Sequence, residues 1–304
     1  MKKAMLIYNP KSGNQKFGDK LDFVVNLLKD KYDDVFVCKT NHPGHATDLA
    51  NLASVEKYDL LVIVGGDGTF NECVNGMMEN NYRPKIGYIP SGTCCDIGMS
   101  LGLSKNVKKA MENILNDVSA KMDVVKSNNR YFCYVSGNGA FIDISYVTDS
   151  NLKKKIGYLA YVIRGAVELF TIPKMKMKIR HDNGDERGKY SLVLIINSKR
   201  VAGINMIYKP CLDDGLVDVV LYRSVTPFNG LVYLISFIVP FWSTPLVKRL
   251  KSKRLEIKTN TKATWNIDGE SGGTGNQYID VNQKAIEIII PEKIKSRYFH
   301  HQED

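Results

Sequence analysis

The sequence predicts a three-layer α/β domain with a parallel sheet, followed by a mostly antiparallel β-sandwich domain. Short apolar runs alternate with helical hydrophobic spacing over the first part of the chain, as strands and helices do in a parallel α/β sheet. After Asp123, β-rich runs separated by turns predominate. The 304 residues are enough for two cores. We predict the α/β domain at 1–125 and the β-sandwich at 126–290, with a tail at 291–304 that either frays or packs back on the first domain.

The first domain contains four predicted strands and the helices between them. The apolar runs that predict the strands lie at 4–8, 35–38, 60–64 and 85–89. Hydrophobic spacing predicts helices at 21–28, 46–52, 71–79 and 107–118. Ser104 is the expected N-cap of the last helix.

The second domain is predicted from β-rich runs with only two helical regions. The β-rich runs lie at 131–136, 191–197, 216–222, 254–258, 263–267 and 285–290. The helical regions lie at 156–169 and 228–250. Such a pattern of short strands with turns between them is typical of a sandwich or barrel.

The net charge of +10 is the unusual feature of the composition. It arises from 42 Lys and Arg against 32 Asp and Glu. Either it serves an anionic partner, such as a nucleotide or an acidic lipid surface, or the lysines only solvate the surface. The six cysteines are scattered without metal-ligand spacing, so we expect reduced thiols, no zinc and a cytoplasmic protein.

The most hydrophobic stretch, 230–242, is shorter than the roughly 20 residues of a membrane-spanning helix. It contains Pro240 and precedes a basic cluster made of Lys248, Arg249, Lys251, Lys253 and Arg254. The segment either rests on an anionic membrane surface or is a core-packed helix before a charged turn, and we slightly favour the helix. We therefore expect no integral membrane segment.

A glycine-rich turn, Gly65-Gly66-Asp67-Gly68-Thr69, follows the buried strand at 60–64. Its backbone N–H groups and the following helix N-terminus suit a phosphate group. Asp67 is out of place beside a phosphate unless a cation lies between them. The turn thus indicates a nucleotide bound with Mg²⁺, although glycines also serve ordinary tight turns.

Three further loops carry polar residues at strand ends. The loop 9–13 and the loop 90–93, which is followed by Asp96, come after predicted parallel strands. Ligands gather at the carboxyl ends of such strands. Far downstream, Asp268-Gly269-Glu270 places two carboxylates around a glycine. Each motif alone could be a turn or a cap, but their combined order and placement favour one phosphoryl-transfer site.

With these motifs the chain resembles the soluble lipid kinases that share the diacylglycerol kinase catalytic domain, to which sphingosine and ceramide kinases are related. The matching segments span nearly the whole chain in order: 9–13, Thr40 with 44–46, 65–69 with Asn71 and Glu72, 90–96 with 101–102, 213–218, and 268–270.

The resemblance implies ATP in a cleft between the two domains. The implied ATP contacts are Asn9, Pro10, Lys11, Ser12, Gly13, Thr40, Gly66, Asp67, Gly68, Thr69, Phe70, Asn71, Glu72 and Thr93. Glu270 corresponds to the general base, and Asp67 and Asp96 to acidic residues that organise Mg²⁺–ATP. Asp213, the Leu216 carbonyl and Asp218 correspond to a structural Mg²⁺ site in the second domain.

The chain departs from the family pattern next to the nucleotide. Cys95 stands where the family commonly has an asparagine, and Met99 where it has an arginine. Both changes remove polar contacts. The segment 271–275 is richer in glycine than usual, so we expect a flexible loop beside Glu270.

The expected function is an ATP- and Mg²⁺-dependent lipid kinase, with diacylglycerol as the first acceptor and phosphatidic acid as product. The enzyme would associate peripherally with anionic membranes and would have no nucleic-acid partner. The sequence does not decide whether it forms a homodimer. One alternative is a small-molecule kinase similar to NAD kinases, which also carry a Gly-Gly-Asp-Gly turn. Another is a non-catalytic nucleotide- or lipid-binding module.

Overall fold

The computed structural model describes residues 1–13, 17–139, 174–201, 203–205, 210–224, 245–260 and 262–300. The helix predicted at 156–169, the apolar segment 230–242 and most of the helical region predicted at 228–250 lie outside the described residues. In the part of the chain that is described, no helix is both long enough and apolar enough to cross a membrane.

The N-terminal part is a parallel sheet in the spatial order β2, β1, β3 and β4. All six residues of the third strand are buried, as expected for a central strand covered on both faces. The four predicted strands are confirmed, with ends that differ by one residue: β1 Lys3–Tyr8, β2 Asp34–Lys39, β3 Leu60–Gly65 and β4 Lys85–Pro90.

Helices cover both faces of this sheet. Alternate residues of β1 point in opposite directions, so Leu6 contributes to one apolar cluster and Ile7 to the other. The first cluster also contains side chains of α1 and α5, and the second contains side chains of α2 and α3. The helices are α1 Leu21–Lys29, α2 His45–Val55, α3 Asp67–Met78, α4 Asp96–Ser100 and α5 Val107–Asn116. The predicted three-layer architecture is therefore confirmed.

Two helix starts differ from the prediction. The third helix begins at Asp67, not Asn71, because Gly66 is extended and serves as its N-cap. The glycine turn is thus already the first turn of the helix. The N-cap of α5 is Asn106, whose side chain accepts the Lys109 N–H at 3.2 Å; Ser104 instead accepts the N–H of Asn106.

The C-terminal part consists of antiparallel strands, as predicted for a β-sandwich. Apolar side chains on their inner faces form a separate core around Trp265, Phe132 and Tyr190. The strands are β5 Ser119–Ser127, β6 Arg130–Phe132, β7 Val135–Gly139, β8 Met175–His181, β9 Gly184–Ile196, β10 Arg200–Val201, β11 Ile204–Asn205, β12 Val217–Arg223, β13 Val247–Ser252, β14 Arg254–Thr259, β15 Thr264–Ile267, β16 Glu270–Thr274 and β17 Gln277–Ile289.

Two predictions for this part are wrong. Residues 247–250 are strand, not helix, because β13 pairs antiparallel with β12 over its whole length. The glycine-rich segment after Glu270 is also a strand, since β16 pairs with β15. Gly272 packs so closely on Ile267 that an added Cβ would lie 2.5 Å from its side chain. The segment is ordered by pairing and packing despite its glycines.

The strand β17 connects the two parts of the chain. It pairs antiparallel with β5 and β14, and its end pairs parallel with β4 through Ile288 and Ile86. A last helix, α6 Glu292–Tyr298, places Ile294 and Tyr298 in the same apolar cluster as α3 and α4. The predicted domain boundaries stay predictions.

Candidate active site

Two loops meet at the carboxyl ends of β1 and β4. The hydroxyls of Ser12 and Ser91 are 2.7 Å apart, and the Asn9 side-chain amide donates to Thr69 Oγ1 at 3.2 Å. Gly13 has a φ of +58°, and an added Cβ there would lie 1.8 Å from the Ser91 carbonyl oxygen. Only glycine fits this approach without moving a loop.

The glycine turn after β3 packs against the second of these loops. A Cβ at Gly92 would lie 2.7 Å from Gly66 Cα, so two backbones are in contact there. The Phe70 N–H, which donates to the Gly66 carbonyl at 3.1 Å, makes a bond of the first helical turn. The earlier amides of α3 lack intrahelical acceptors and point out of the helix start. This is a ready site for an anion.

Asp67 joins this turn to α4. Its carboxylate accepts the Asp96 N–H at 2.9 Å and the Ile97 N–H at 3.2 Å, so it caps the short helix. Burial raises the pKa of the Asp67 carboxyl, while the two amide bonds act in the opposite direction. These two bonds hold Asp67 at the edge of the glycine turn.

Asp96 turns away from Asp67 toward the β10–β11 hairpin. Its buried carboxylate accepts the Gly203 N–H, 3.0 Å from each oxygen, and lies 3.4 Å from Arg200 Nε. The Arg200 N–H in turn donates to Ser100 Oγ at 3.1 Å. Arg200 escaped the sequence analysis because no local motif marks a residue that acts 104 positions from its partner.

Glu270 faces the start of α3 from the C-terminal part of the chain. A Cβ built on Gly68 would lie 3.2 Å from Glu270 Oε1. Arg130 donates to Glu270 Oε2 at 2.8 Å and to the Ser271 carbonyl at 2.6 Å. The Glu270 side chain is 42% exposed, so a substrate can reach it. The structure thus brings Glu270, the residue predicted as the base, next to the glycine turn.

Asp268 links the start of α3 to the strands beside Glu270. Its fully buried carboxylate accepts the backbone N–H groups of Cys133, Tyr134 and Val135 and the side-chain amide of Asn71, all at 2.8–3.0 Å. Burial raises the pKa of Asp268 to about 7 against these donors. The Asn71 side chain is committed to this link between α3 and the strand before Glu270.

Two other residues of the predicted ATP set lie at one side of the turn. The Glu72 carboxylate accepts the Gly44 N–H at 3.0 Å and the Ala46 N–H at 3.3 Å, so it caps α2. The Thr40 N–H donates to the Tyr8 carbonyl at 3.0 Å, which places Thr40 directly after β2. The Phe70 ring is buried and packs on Tyr88.

The loop 91–95 is contacted by Lys105, a cationic side chain that the sequence analysis missed. Lys105 Nζ donates to the carbonyls of Gly92 at 2.9 Å and Thr93 at 2.6 Å. Thr93 is exposed, while Cys95 is buried at a φ of +54°. Asparagine tolerates this left-handed conformation better than most residues, which gives a backbone reason for the family preference at this position.

The structural Mg²⁺ site implied by the family resemblance includes Asp213 and Asp218. The Asp213 side chain is buried, and its Oδ2 has no hydrogen-bond partner among the described residues. The Asp218 carboxyl is half-buried, and burial raises its pKa. Asp123, which the sequence analysis missed, lies close by: its Oδ2 accepts the Gly215 N–H at 2.7 Å, and its own N–H donates to the Leu212 carbonyl at 2.8 Å. Burial raises the pKa of Asp123 to about 6. Such carboxyl groups fit a hard divalent cation.

Comparisons with known proteins agree with this geometry. Residues 3–127 match the family described as the diacylglycerol kinase catalytic domain, and residues 140–290 match the YegS C-terminal NAD kinase beta sandwich-like domain. A protein named diacylglycerol kinase from Staphylococcus carnosus is 32% identical over 298 residues, 97% of each chain. Its Staphylococcus aureus counterpart (strain MRSA252) is 34% identical over 296 residues, 96% of this chain and 94% of that protein.

The chain belongs to the diacylglycerol kinase catalytic-domain family. Solved structures support the same assignment. A proposed diacylglycerol kinase from Bacillus anthracis str. Sterne superposes with a TM-score of 0.83 at 28% identity, over 96% of each chain. A second, also named a diacylglycerol kinase, gives 0.76 at 26% identity over 96% of this chain and 98% of that one. The protein is therefore a lipid kinase, a family that implies ATP and a divalent metal in general. This confirms the prediction of a lipid kinase over the two alternatives.

Proposed function

We propose that this lipid kinase transfers the γ-phosphoryl group of ATP, with Mg²⁺, to the hydroxyl of diacylglycerol, which yields phosphatidic acid. The observation that carries the proposal is the position of Glu270 beside Gly68. A carboxylate that can accept a proton lies directly in front of a helix start that can hold phosphates. The names of the relatives support diacylglycerol as the acceptor.

The phosphates of ATP would lie against the amides at the start of α3. The loop 9–13, Thr69 and Thr93 border this position, and Thr40 and Glu72 flank it. Asp67 is the residue best placed to hold Mg²⁺, which would neutralise phosphate charge during transfer. Asp96 would contribute through its backbone N–H, which donates to Asp67, since its own carboxylate is paired with Arg200 and Gly203.

Glu270 would accept the proton of the lipid hydroxyl as that oxygen attacks the γ-phosphate. General-base assistance of this kind contributes about 10²- to 10⁴-fold to the rate. Arg130 fixes one carboxylate oxygen and leaves the other, Oε1, directed at Gly68. Arg130 is thus a positioning residue for the base.

A second Mg²⁺ would be held by Asp213, the Leu216 carbonyl and Asp218. The buried Asp213 Oδ2, to which no described residue donates a hydrogen bond, fits such an ion, because a buried carboxylate oxygen without a donor is costly. The ion would link the loop before β12 to that strand and would be structural.

The acceptor can be identified with labelled ATP and a mixed lipid extract. We expect label in phosphatidic acid, dependence on Mg²⁺, and no label on NAD offered as acceptor. Label in another lipid would replace diacylglycerol by that lipid. Label on NAD alone would refute the proposed reaction.

We also propose that the enzyme contacts anionic membranes through one outer face of the sandwich. Lys176 is directly opposite Lys189, and Lys178 lies between Arg187 and Lys258. Like charges opposite each other destabilise a sheet. Among the described residues, no carboxylate pairs with Lys176, Lys189 or Arg187. An anionic surface would relieve the repulsion, and each basic residue near such a surface strengthens binding by about 1 kcal/mol.

Vesicle binding tests this face. The double variant Lys176→Glu/Lys178→Glu should bind phosphatidylglycerol-containing vesicles about 10-fold or more weakly. Its fold should be retained, because each glutamate faces a cation across the strands and the partly exposed Lys178–Asp185 ion pair that is lost contributes little. Lys108→Glu/Lys109→Glu, an equal charge change on exposed positions of α5, is the matched control. Equal losses in both variants would show that only net charge matters.

A further inference from the structure

Three side chains that can each ligate a metal ion meet where the loop before β12 contacts the end of α6. Cys211 Sγ lies 3.0 Å from His300 Nδ1 and 3.2 Å from Asp213 Oδ1. The two latter atoms are 3.2 Å apart. The three ligand atoms therefore form a nearly equilateral triangle, built from residues 89 positions apart in sequence.

Hydrogen bonds alone do not account for all three of these close contacts. The three edges of the triangle have at most two protons, one on the thiol and one on the imidazole Nδ1. Asp213 Oδ1 also accepts the backbone N–H of His300 at 3.0 Å. If both side-chain protons go to Asp213, sulfur and nitrogen are left 3.0 Å apart without a proton between them. A metal ion would accept a lone pair from all three atoms at once.

The size of the triangle fits a tetrahedral ion. With Zn–S near 2.3 Å and Zn–N and Zn–O near 2.0–2.2 Å, neighbouring ligand atoms are about 3.3–3.6 Å apart. The observed edges of 3.0–3.2 Å need only a small widening. The His300 side chain is 67% exposed, so an entry path and a fourth position for water are open.

The second oxygen of the Asp213 carboxylate is a further observation. The side chain is buried, no described residue donates a hydrogen bond to its Oδ2, and Lys284 Nζ lies 3.9 Å from that oxygen. Because an uncompensated buried charge is unfavourable, this carboxylate favours a bound cation. The oxygen is free to ligate whichever ion binds beside it.

We propose that Cys211, Asp213 and His300 form a binding site for a thiophilic divalent transition-metal ion, with Zn²⁺ as the natural candidate. Sulfur and imidazole nitrogen are ligands that Zn²⁺ takes and Mg²⁺ avoids. The site is thus distinct in chemistry from the oxygen site proposed at Asp213, Leu216 and Asp218, although the two share one carboxylate. An ion here ties the segment after α6 to the loop before β12.

Cobalt(II) is the probe for this site, because a thiolate ligand gives a charge-transfer band in the near ultraviolet. The full-length protein, freed of metal by a chelator, should show this band on addition of Co²⁺, and Zn²⁺ but not Mg²⁺ should abolish it. His42 and His45 stack with ring centroids 4.8 Å apart and could also bind cobalt, but they contribute no thiolate band.

Variants assign the band. Cys211→Ser should remove it, and His300→Asn should weaken Co²⁺ binding at least about 10-fold, since even outer-shell partners of a metal site have effects of that size. Cys38→Ser, another half-buried thiol, is the control and should keep the band. In the wild-type protein, Zn²⁺ should protect Cys211 from alkylation, which needs no variant to fold.

Absence of the band in the wild-type protein would overturn the proposal, as would a band that survives Cys211→Ser. Loss of the band to Mg²⁺ as readily as to Zn²⁺ would also overturn it, because Mg²⁺ at the oxygen site would then displace the ion from the shared Asp213. None of these readouts depends on kinase activity, so they stand apart from the proposed function.

Discussion

Replacing Gly13 by alanine tests how closely the loops 9–13 and 90–93 are packed. The new Cβ would lie 1.8 Å from the Ser91 carbonyl oxygen, at a backbone φ of +58°. Left-handed strain contributes about 1–2 kcal/mol, the overlap about 1–3 kcal/mol, and loss of the Ser12–Ser91 hydrogen bond about 1 kcal/mol. The free energy of unfolding should therefore fall by about 3–6 kcal/mol, and the KM for ATP should rise as the loops separate.

The matched control is Gly275→Ala. Gly275 also has a positive φ, +86°, but an added Cβ would have no atom within 4 Å. It should lose only the strain contribution of about 1–2 kcal/mol. Denaturant unfolding of both variants and the KM for ATP provide the comparison. Equal stability losses together with an unchanged KM would show that the loops are not in the close contact described above.

Two further predictions concern buried carboxylates. Arg200→Leu removes the cation beside buried Asp96 and should lower the free energy of unfolding by about 3 kcal/mol in denaturant titrations; a loss below that of an ordinary surface substitution would contradict the pairing. The pKa of Asp123 is raised from 3.8 to about 6, so the folded state holds its proton more tightly. Its contribution to stability should fall as pH rises from about 4 to about 6, by roughly 3 kcal/mol. With a chelator present, the free energy of unfolding of Asp123→Asn should depend less on pH over this range than that of the wild-type protein. An unchanged pH dependence would contradict the raised pKa.

The parts of the fold that local pattern determines were predictable. The strand at 60–64 is apolar throughout, and a continuous apolar run indicates a central parallel strand. The strand-end loops follow directly, because parallel strands place their carboxyl ends at one edge. For the same reason, the position of the glycine turn could be predicted from the sequence.

Partners that are distant in sequence could not be predicted. The hydrogen bond between Asn71 and Asp268 joins residues 197 positions apart, and both read locally as parts of nucleotide-binding motifs. The strand at 247–252 was predicted to be partly helical because its pairing with β12 is not visible in a local pattern. Tertiary pairing decides such segments over local propensity.

The rate of Glu270→Gln tests the central claim most directly. With labelled ATP and diacylglycerol, turnover should fall by about 10²- to 10⁴-fold, because the amide cannot accept the proton of the hydroxyl. Glu292→Gln, an exposed position in α6, should keep the wild-type rate. Both variants should unfold at the wild-type temperature. A Glu270→Gln enzyme that is folded and turns over at a rate close to wild type would contradict the assignment of Glu270 as the base.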